Sequence, residues 1–92
     1  MPNPVRSRRG MAVAPHALAS QSALAVLREG GNAIEAMVAS AATIAAAYPH
    51  MNSIGGDSFW LISLPNPTGG APEVIGIDAS GCAHSMARPE DY

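Results

Sequence analysis

Residues 27–39 read LREGGNAIEAMVA, and in this stretch one helix ends and the next begins. Gly30-Gly31 stops the first, because glycine accepts the left-handed conformation past a helix end at no steric cost. Asn32 then offers a side-chain oxygen to free backbone N–H groups, and Glu35, three residues on, can reach back to the cap residue. This Asn variant of the capping box predicts a helix from Ala33. From there to Ala47 the only charge is Glu35, and small residues lie on every face, the pattern of a helix buried on all sides. Pro49 disfavours helical geometry at Tyr48 and ends it. Upstream, a helix is expected from about Ala17 to Glu29, with Leu18, Leu24, Val26 and Leu27 leaning to one side while Gln21 and Arg28 face water.

Working outward, residues 1–10 (MPNPVRSRRG) hold two prolines, three arginines and a glycine, and are expected to form a mobile tail. Met11–Ala14 is a short apolar run closed by Pro15 and is expected to be a strand. Downstream, the polar loop PHMNSIGGDSFW (49–60) leads into Ser58–Leu64 (SFWLISL), whose aliphatic and aromatic run predicts a largely buried strand. Residues 65–72 (PNPTGGAP) are dense in turn formers, so Glu73–Ala79 (EVIGIDA) is read as the returning strand of a hairpin. Residues 80–92 show no period, and there is no internal repeat.

The chain has 92 residues, room for one small domain. Hydrophobic residues make up 48% but aromatics only 4%, much of the remainder being alanine, so a core built from them is weak. A buried alanine contributes well below the ~1.5–3 kcal/mol of a buried Leu or Phe. Alanine-rich helices of this kind serve close packing, and two of them cannot surround the second. The chain is therefore expected to be an incomplete domain, 11–92, of a larger body.

Composition excludes several classes. Lysine is absent, net charge is −2, and Arg6, Arg8 and Arg9 are continued by no basic stripe, which argues against a nucleic-acid partner. Ser7-Arg8-Arg9 before MAVAPHALA faintly resembles a twin-arginine export signal, but Pro15 breaks the apolar run. The apolar stretch 33–48 falls short of the ~20 residues a bilayer needs. A cytoplasmic protein without membrane association is the expectation. Cys82 alone permits no internal disulfide.

Familiar catalytic constellations do not fit well. Ser80 lies in GIDASG (76–81), where the first glycine stands too early for a nucleophile elbow. Asp78, His84 and a serine make a triad on paper only, since triads are recognised by geometry. His16, His50 and His84 stand 34 residues apart, without the short spacing of a zinc site, and are read as capping or hydrogen-bonding residues. Cys82 has no identified base and reads as an inert small hydrophobe. Gly30-Gly31 and Gly55-Gly56 match neither a P-loop nor a dinucleotide fingerprint. Gly55-Gly56 before a strand is instead expected to allow positive φ and close approach of another backbone or a ligand.

Three motifs in order resemble the gamma-glutamyltranspeptidase family. They are His16-x-Leu18-Ala19-Ser20, then Leu27-x-x-Gly30-Gly31-Asn32-Ala33-x-Glu35-Ala36-x-Val38-Ala39, then Pro49-His50 with Ile54-Gly55-Gly56 and Phe59. The resemblance spans about residues 11–84 and corresponds only to the start of such a protein. It implies an α+β fold, the four-layer αββα sandwich of N-terminal-nucleophile hydrolases, of which the helix–helix–hairpin segment is present. It also implies a proenzyme that cuts itself into a large and a small subunit and works without a cofactor or metal. The nucleophile would be a threonine at the new N-terminus of the small subunit, its α-amino group serving as base. Thr43 and Thr68 do not match that context, so no catalytic residue is expected in this chain. The implied partners are the rest of the large subunit, the small subunit and a small amide substrate.

Two departures from the family pattern stand out. Asp57 occupies a place where the family's loop usually has a further glycine. Ser80 aligns with the arginine that binds the α-carboxylate of a glutamyl group, so Ser80 and Gly81, with His50 and Asn52 in support, become the candidate substrate-binding residues. Gly55, Gly56 and Asp57 form the structural loop beside them. Serine cannot make a bidentate, charge-assisted pair, a loss of about 1.5–3 kcal/mol per hydrogen bond. Within the family the sequence looks most like the oxamate amidohydrolase-type branch. The alternatives are a glutathione-cleaving transferase using another arginine, with Arg88 nearby in sequence, or a non-catalytic helical interaction module.

Overall fold

Capping residues set both helices in the computed structural model of the chain, which describes residues 3–82 and 85–91. The described residues divide into two units, one up to Ile54 and one from Gly55. In the first, α1 spans Ala17–Arg28 and α2 spans Ala33–Ala47. His16 caps α1: its Nδ1 accepts the Leu18 N–H at 3.1 Å, so this nitrogen carries no proton. At the other end Gly30 takes φ +90° and donates to the Leu27 carbonyl, while Gly31 donates to the Val26 carbonyl at 2.9 Å. That pair of bonds is a Schellman closure, and it uses both glycines. The capping box of α2 is complete: Asn32 Oδ1 accepts the Glu35 N–H at 2.9 Å, and Glu35 Oε2 accepts the Asn32 N–H at 3.2 Å.

The helices meet through small residues. Ala19 and Ala23 on α1, with Ala36 and Ser40 on α2, are the buried positions, each pair one turn apart. Beside them Ser22 Oγ and Thr43 Oγ1 lie 2.7 Å apart, a hydrogen bond between the two helices. Removing one partner, as in Ser22→Ala, should lower stability of the full-length protein by about 1–2 kcal/mol. Adding Thr43→Val should recover part of that loss, which a double-mutant cycle in urea would measure.

The all-round burial expected for α2 does not occur within this chain. Ile34, Met37 and Val38 are exposed, Val38 at 55%, because one neighbouring helix covers only one stripe of a helix surface. No large side chain among the described residues is fully buried. The strand expected at Met11–Ala14 is also absent. The described sheet contains only the two strands of the second unit, so this run has no ladder to join.

In the second unit β1 (Ser58–Leu64) and β2 (Glu73–Ala79) form an antiparallel hairpin with register from Ser58↔Ala79 to Leu64↔Glu73. The connection is held by Asn66, whose Oδ1 accepts from the Thr68 N–H and hydroxyl, and whose carbonyl accepts from Gly69. Pro67 supplies a preset φ inside this turn. Alternation places Phe59, Leu61 and Val74 on one face and Trp60, Ile62, Ile75 and Ile77 on the other. Both faces are apolar, which is the pattern of a strand pair meant to be covered on both sides. Within this chain β1 is not the buried strand expected: Phe59 and Leu61 are 71% and 82% exposed. A 3-10 helix, Pro89–Asp91, follows in the region where the sequence showed no period.

Candidate functional site

Pairing of Ser58 with Ala79 sets the end of the loop 49–57 beside the turn that follows β2. Asp57 and the Ser80–Gly81 turn therefore share one end of the hairpin. There Asp57 Oδ1 accepts the Gly81 N–H at 2.7 Å, at the short end for N–H···O and in keeping with a charged acceptor. A Cβ on Gly81 would stand 3.4 Å from that oxygen, an ordinary contact, so the bond does not require glycine there. One residue earlier, Asp78 Oδ1 accepts the Ser80 N–H at 3.0 Å. Two successive amides of the turn are thus each held by a carboxylate.

Hydrogen bonding from the Ser80 hydroxyl, and then from the Ser80 amide, holds the Asp78 carboxyl below the ordinary aspartate value, with slight desolvation opposing. A carboxyl whose folded value is depressed adds stability above its unfolded value and loses it as pH falls through the folded one. The turn should accordingly hold at neutral pH and loosen only under acid conditions below the usual aspartate range. Titration of labelled aspartate by NMR should find Asp78 ionised to lower pH than a free aspartate, and Ser80→Ala should raise its midpoint. Asp78 is fully exposed, so this bears on local order rather than on global stability.

Of the other candidate residues, His50 and Asn52 belong to the first unit, and Gly55 and Gly56 to the second. Tyr48 is the C-cap of α2, and Asn52 Nδ2 donates to its carbonyl at 3.2 Å. The His50 ring meets Tyr48 edge-on at 4.2 Å between centroids, and His16 lies 6.2 Å from Tyr48 on the α1 side. His50 and Asn52 thus both engage the bend that ends α2. Gly55 and Gly56 are exposed and neither takes positive φ, contrary to expectation; a Cβ on Gly55 would meet nothing within 4 Å. The bend there needs no left-handed residue. His84 lies outside the described residues.

Thr43 and Thr68 are committed to hydrogen bonds with Ser22 and Asn66. Cys82 is exposed, and Arg88 pairs with Glu90 at 3.7 Å on the surface. Among the described residues no group of three His, Cys, Asp or Glu side chains is placed to hold a metal ion, and no helix is long and apolar enough to cross a membrane. The contact that sequence reasoning missed is Asp57 to Gly81. The hairpin register, continued one step, sets Asp57 opposite Ser80, and the side chain reaches one residue further to the Gly81 amide, which spacing alone does not show.

The order helix, capped helix, hairpin, with a glycine loop before the first strand, defines an α+β segment found in solved structures. The chain resembles the gamma-glutamyltranspeptidase from Pseudomonas nitroreducens complexed with L-DON, with a TM-score of 0.77 and 28% identity over 91% of this chain and 23% of that one. The gamma-glutamyltranspeptidase family profile matches residues 19–92, and the chain belongs to that family. It is 67% identical to the oxamate amidohydrolase proenzyme of Klebsiella pneumoniae over 86 residues, covering 94% of this chain and 15% of that protein. It is 39% identical to the glutathione hydrolase proenzyme of Escherichia coli over 64 residues, 70% of this chain and 11% of that protein. The chain thus spans about a seventh or less of the length of these curated relatives.

Proposed function

We propose that this chain is the start of the large subunit of a self-processing amidohydrolase that cleaves a small amide of the oxamate type. The observation that carries the substrate reading is the Ser80 turn. Where a glutamyl-binding arginine is expected, a serine stands instead, tied to Asp78 and flanked by the Asp57–Gly81 bond. The α-carboxylate of a glutamyl group lies far along a methylene chain from the scissile amide and needs a cation at that distance. In oxamate the carboxylate is bonded directly to the amide carbon, so no cation is needed at glutamyl distance, and a serine at this turn can border the shorter acyl group. The 67% identity to an oxamate amidohydrolase proenzyme supports the same reading.

The nucleophile in this reading is a threonine of the small subunit, outside this chain, freed when the proenzyme cuts itself. Its hydroxyl attacks the amide carbonyl while its own α-amino group takes the proton. The C–N bond breaks, ammonia leaves with that proton, and water then resolves the acyl-enzyme to oxalate. The chain's own share is to frame the acyl end of the substrate with the Ser80–Gly81 turn.

The test is hydrolysis by the full-length protein. Oxamate should be turned over and a gamma-glutamyl anilide should be a poor substrate. Ser80→Arg should shift the ratio of kcat/KM toward the glutamyl compound by about tenfold or more, the equivalent of one regained charged hydrogen bond. An unchanged ratio would remove Ser80 from the substrate's surroundings. Preferential glutamyl turnover by the unaltered protein would instead favour the glutathione-cleaving alternative.

A further inference from the structure

We propose that Asp57 is a positioning residue for substrate recognition, acting through its bond to the Gly81 amide. The inference rests on the reading above, that the Ser80–Gly81 turn faces the acyl end of the substrate. The last rung of the hairpin ladder is Ser58↔Ala79, so from Ser80 onward no strand partner holds the backbone. Asp78 fastens Ser80, but it sits on the same strand and moves with it. Gly81 has no side chain with which to hold itself. Its tie comes from a residue 24 positions away in sequence, at the far side of the hairpin end.

This makes Asp57 the described contact that joins the turn to the opposite strand's entry. Being exposed, the bond competes with water and contributes little to global stability. It acts by narrowing the positions the turn can take, and a misplaced binding group costs affinity for the bound state. The carboxylate does not touch substrate in this account, and its effect passes entirely through Gly81. An amide oxygen in the same place can accept the same N–H, so acceptor geometry rather than charge should decide the outcome.

The experiment uses the full-length protein with Asp57→Ala and Asp57→Asn, read by steady-state kinetics and by hydrogen exchange of the peptide spanning residues 79–82. Asp57→Ala should speed exchange at Gly81 and raise KM by about tenfold, with kcat and self-cleavage within about twofold. Asp57→Asn should restore KM to within about threefold of the parent and keep Gly81 protected. An unchanged KM in Asp57→Ala overturns the proposal, as does an Asn variant as impaired as the Ala variant. If Asp57→Ala fails to fold, Asp57→Asn still decides, since loss of Gly81 protection there with parental KM would contradict the account. Failure of the oxamate reading shows separately, as absence of oxamate turnover in the parent. The KM comparison then runs on gamma-glutamyl anilide, and the exchange readout needs no substrate.

Discussion

The 92-residue chain, expressed alone, is expected to melt without a cooperative transition. Among the described residues the buried positions are Ala19, Ala23, Ala36 and Ser40, none of which removes much apolar area from water. Ordering each residue's backbone costs roughly 1–2 kcal/mol, and a core of alanines offsets little of that. Meanwhile Val38, Phe59, Leu61 and Val74 remain exposed, as do Ile34 and Met37. These are the side chains that would supply a core if other segments covered them. Circular dichroism should show a broad, shallow thermal change, with binding of a hydrophobic dye already at low temperature. A sharp transition with the enthalpy of a folded domain of this length would contradict this and would mean that the hairpin and the helix pair are self-sufficient.

The second large effect is expected at Gly31, where alanine should lower stability of the full-length protein by about 2–4 kcal/mol. A Cβ there would lie 2.4 Å from Val26 Cγ1, 2.8 Å from Glu35 Oε2 and 3.0 Å from the Val26 carbonyl oxygen. Val26 is β-branched and held to one preferred rotamer in its helix, and the Val26 carbonyl is backbone that accepts the Gly31 N–H, so neither yields cheaply. Glu35 Oε2, at the end of a flexible side chain, can move, but only by leaving the capping box. Relief of the clash therefore opens the cap of α2, the closure of α1, or both. Gly30 provides the contrast. A Cβ there meets nothing within 4 Å, and the strain is that of a left-handed backbone at φ +90°. Gly30→Ala should cost only about 1–2 kcal/mol. Soluble yield and urea midpoints of the two variants give the comparison, and equal losses would contradict the steric argument.

What the amino-acid sequence made legible was what is local. The α2 start at Ala33 follows from Asn32 and Glu35, which act within one turn, and the end of α1 from two adjacent glycines. The two strands are short apolar runs bounded by turn formers, and their limits follow from that. Non-local facts were less accessible. Met11–Ala14 has strand composition but no partner strand, and composition alone cannot supply one. Burial of α2 and β1 was read from their apolarity, yet burial depends on what lies opposite, and this chain covers only part of either. At the candidate site, the alignment of Ser58 with Ala79 brings Asp57, Ser80 and Gly81 to one end of the hairpin. The hydrogen bond from Gly81 to Asp57 depends on side-chain geometry that no spacing rule encodes. His50 and Asn52 were drawn from a polar loop, and structure shows them engaged with Tyr48.

The central claim, that this chain opens an N-terminal-nucleophile amidohydrolase, is tested most directly by the intact masses of the full-length protein before and after maturation, with N-terminal sequencing of the products. The expected result is two chains, the smaller beginning with threonine, and oxamate hydrolysis that appears only as the precursor disappears. A single uncut chain that hydrolyses oxamate at full rate would contradict it.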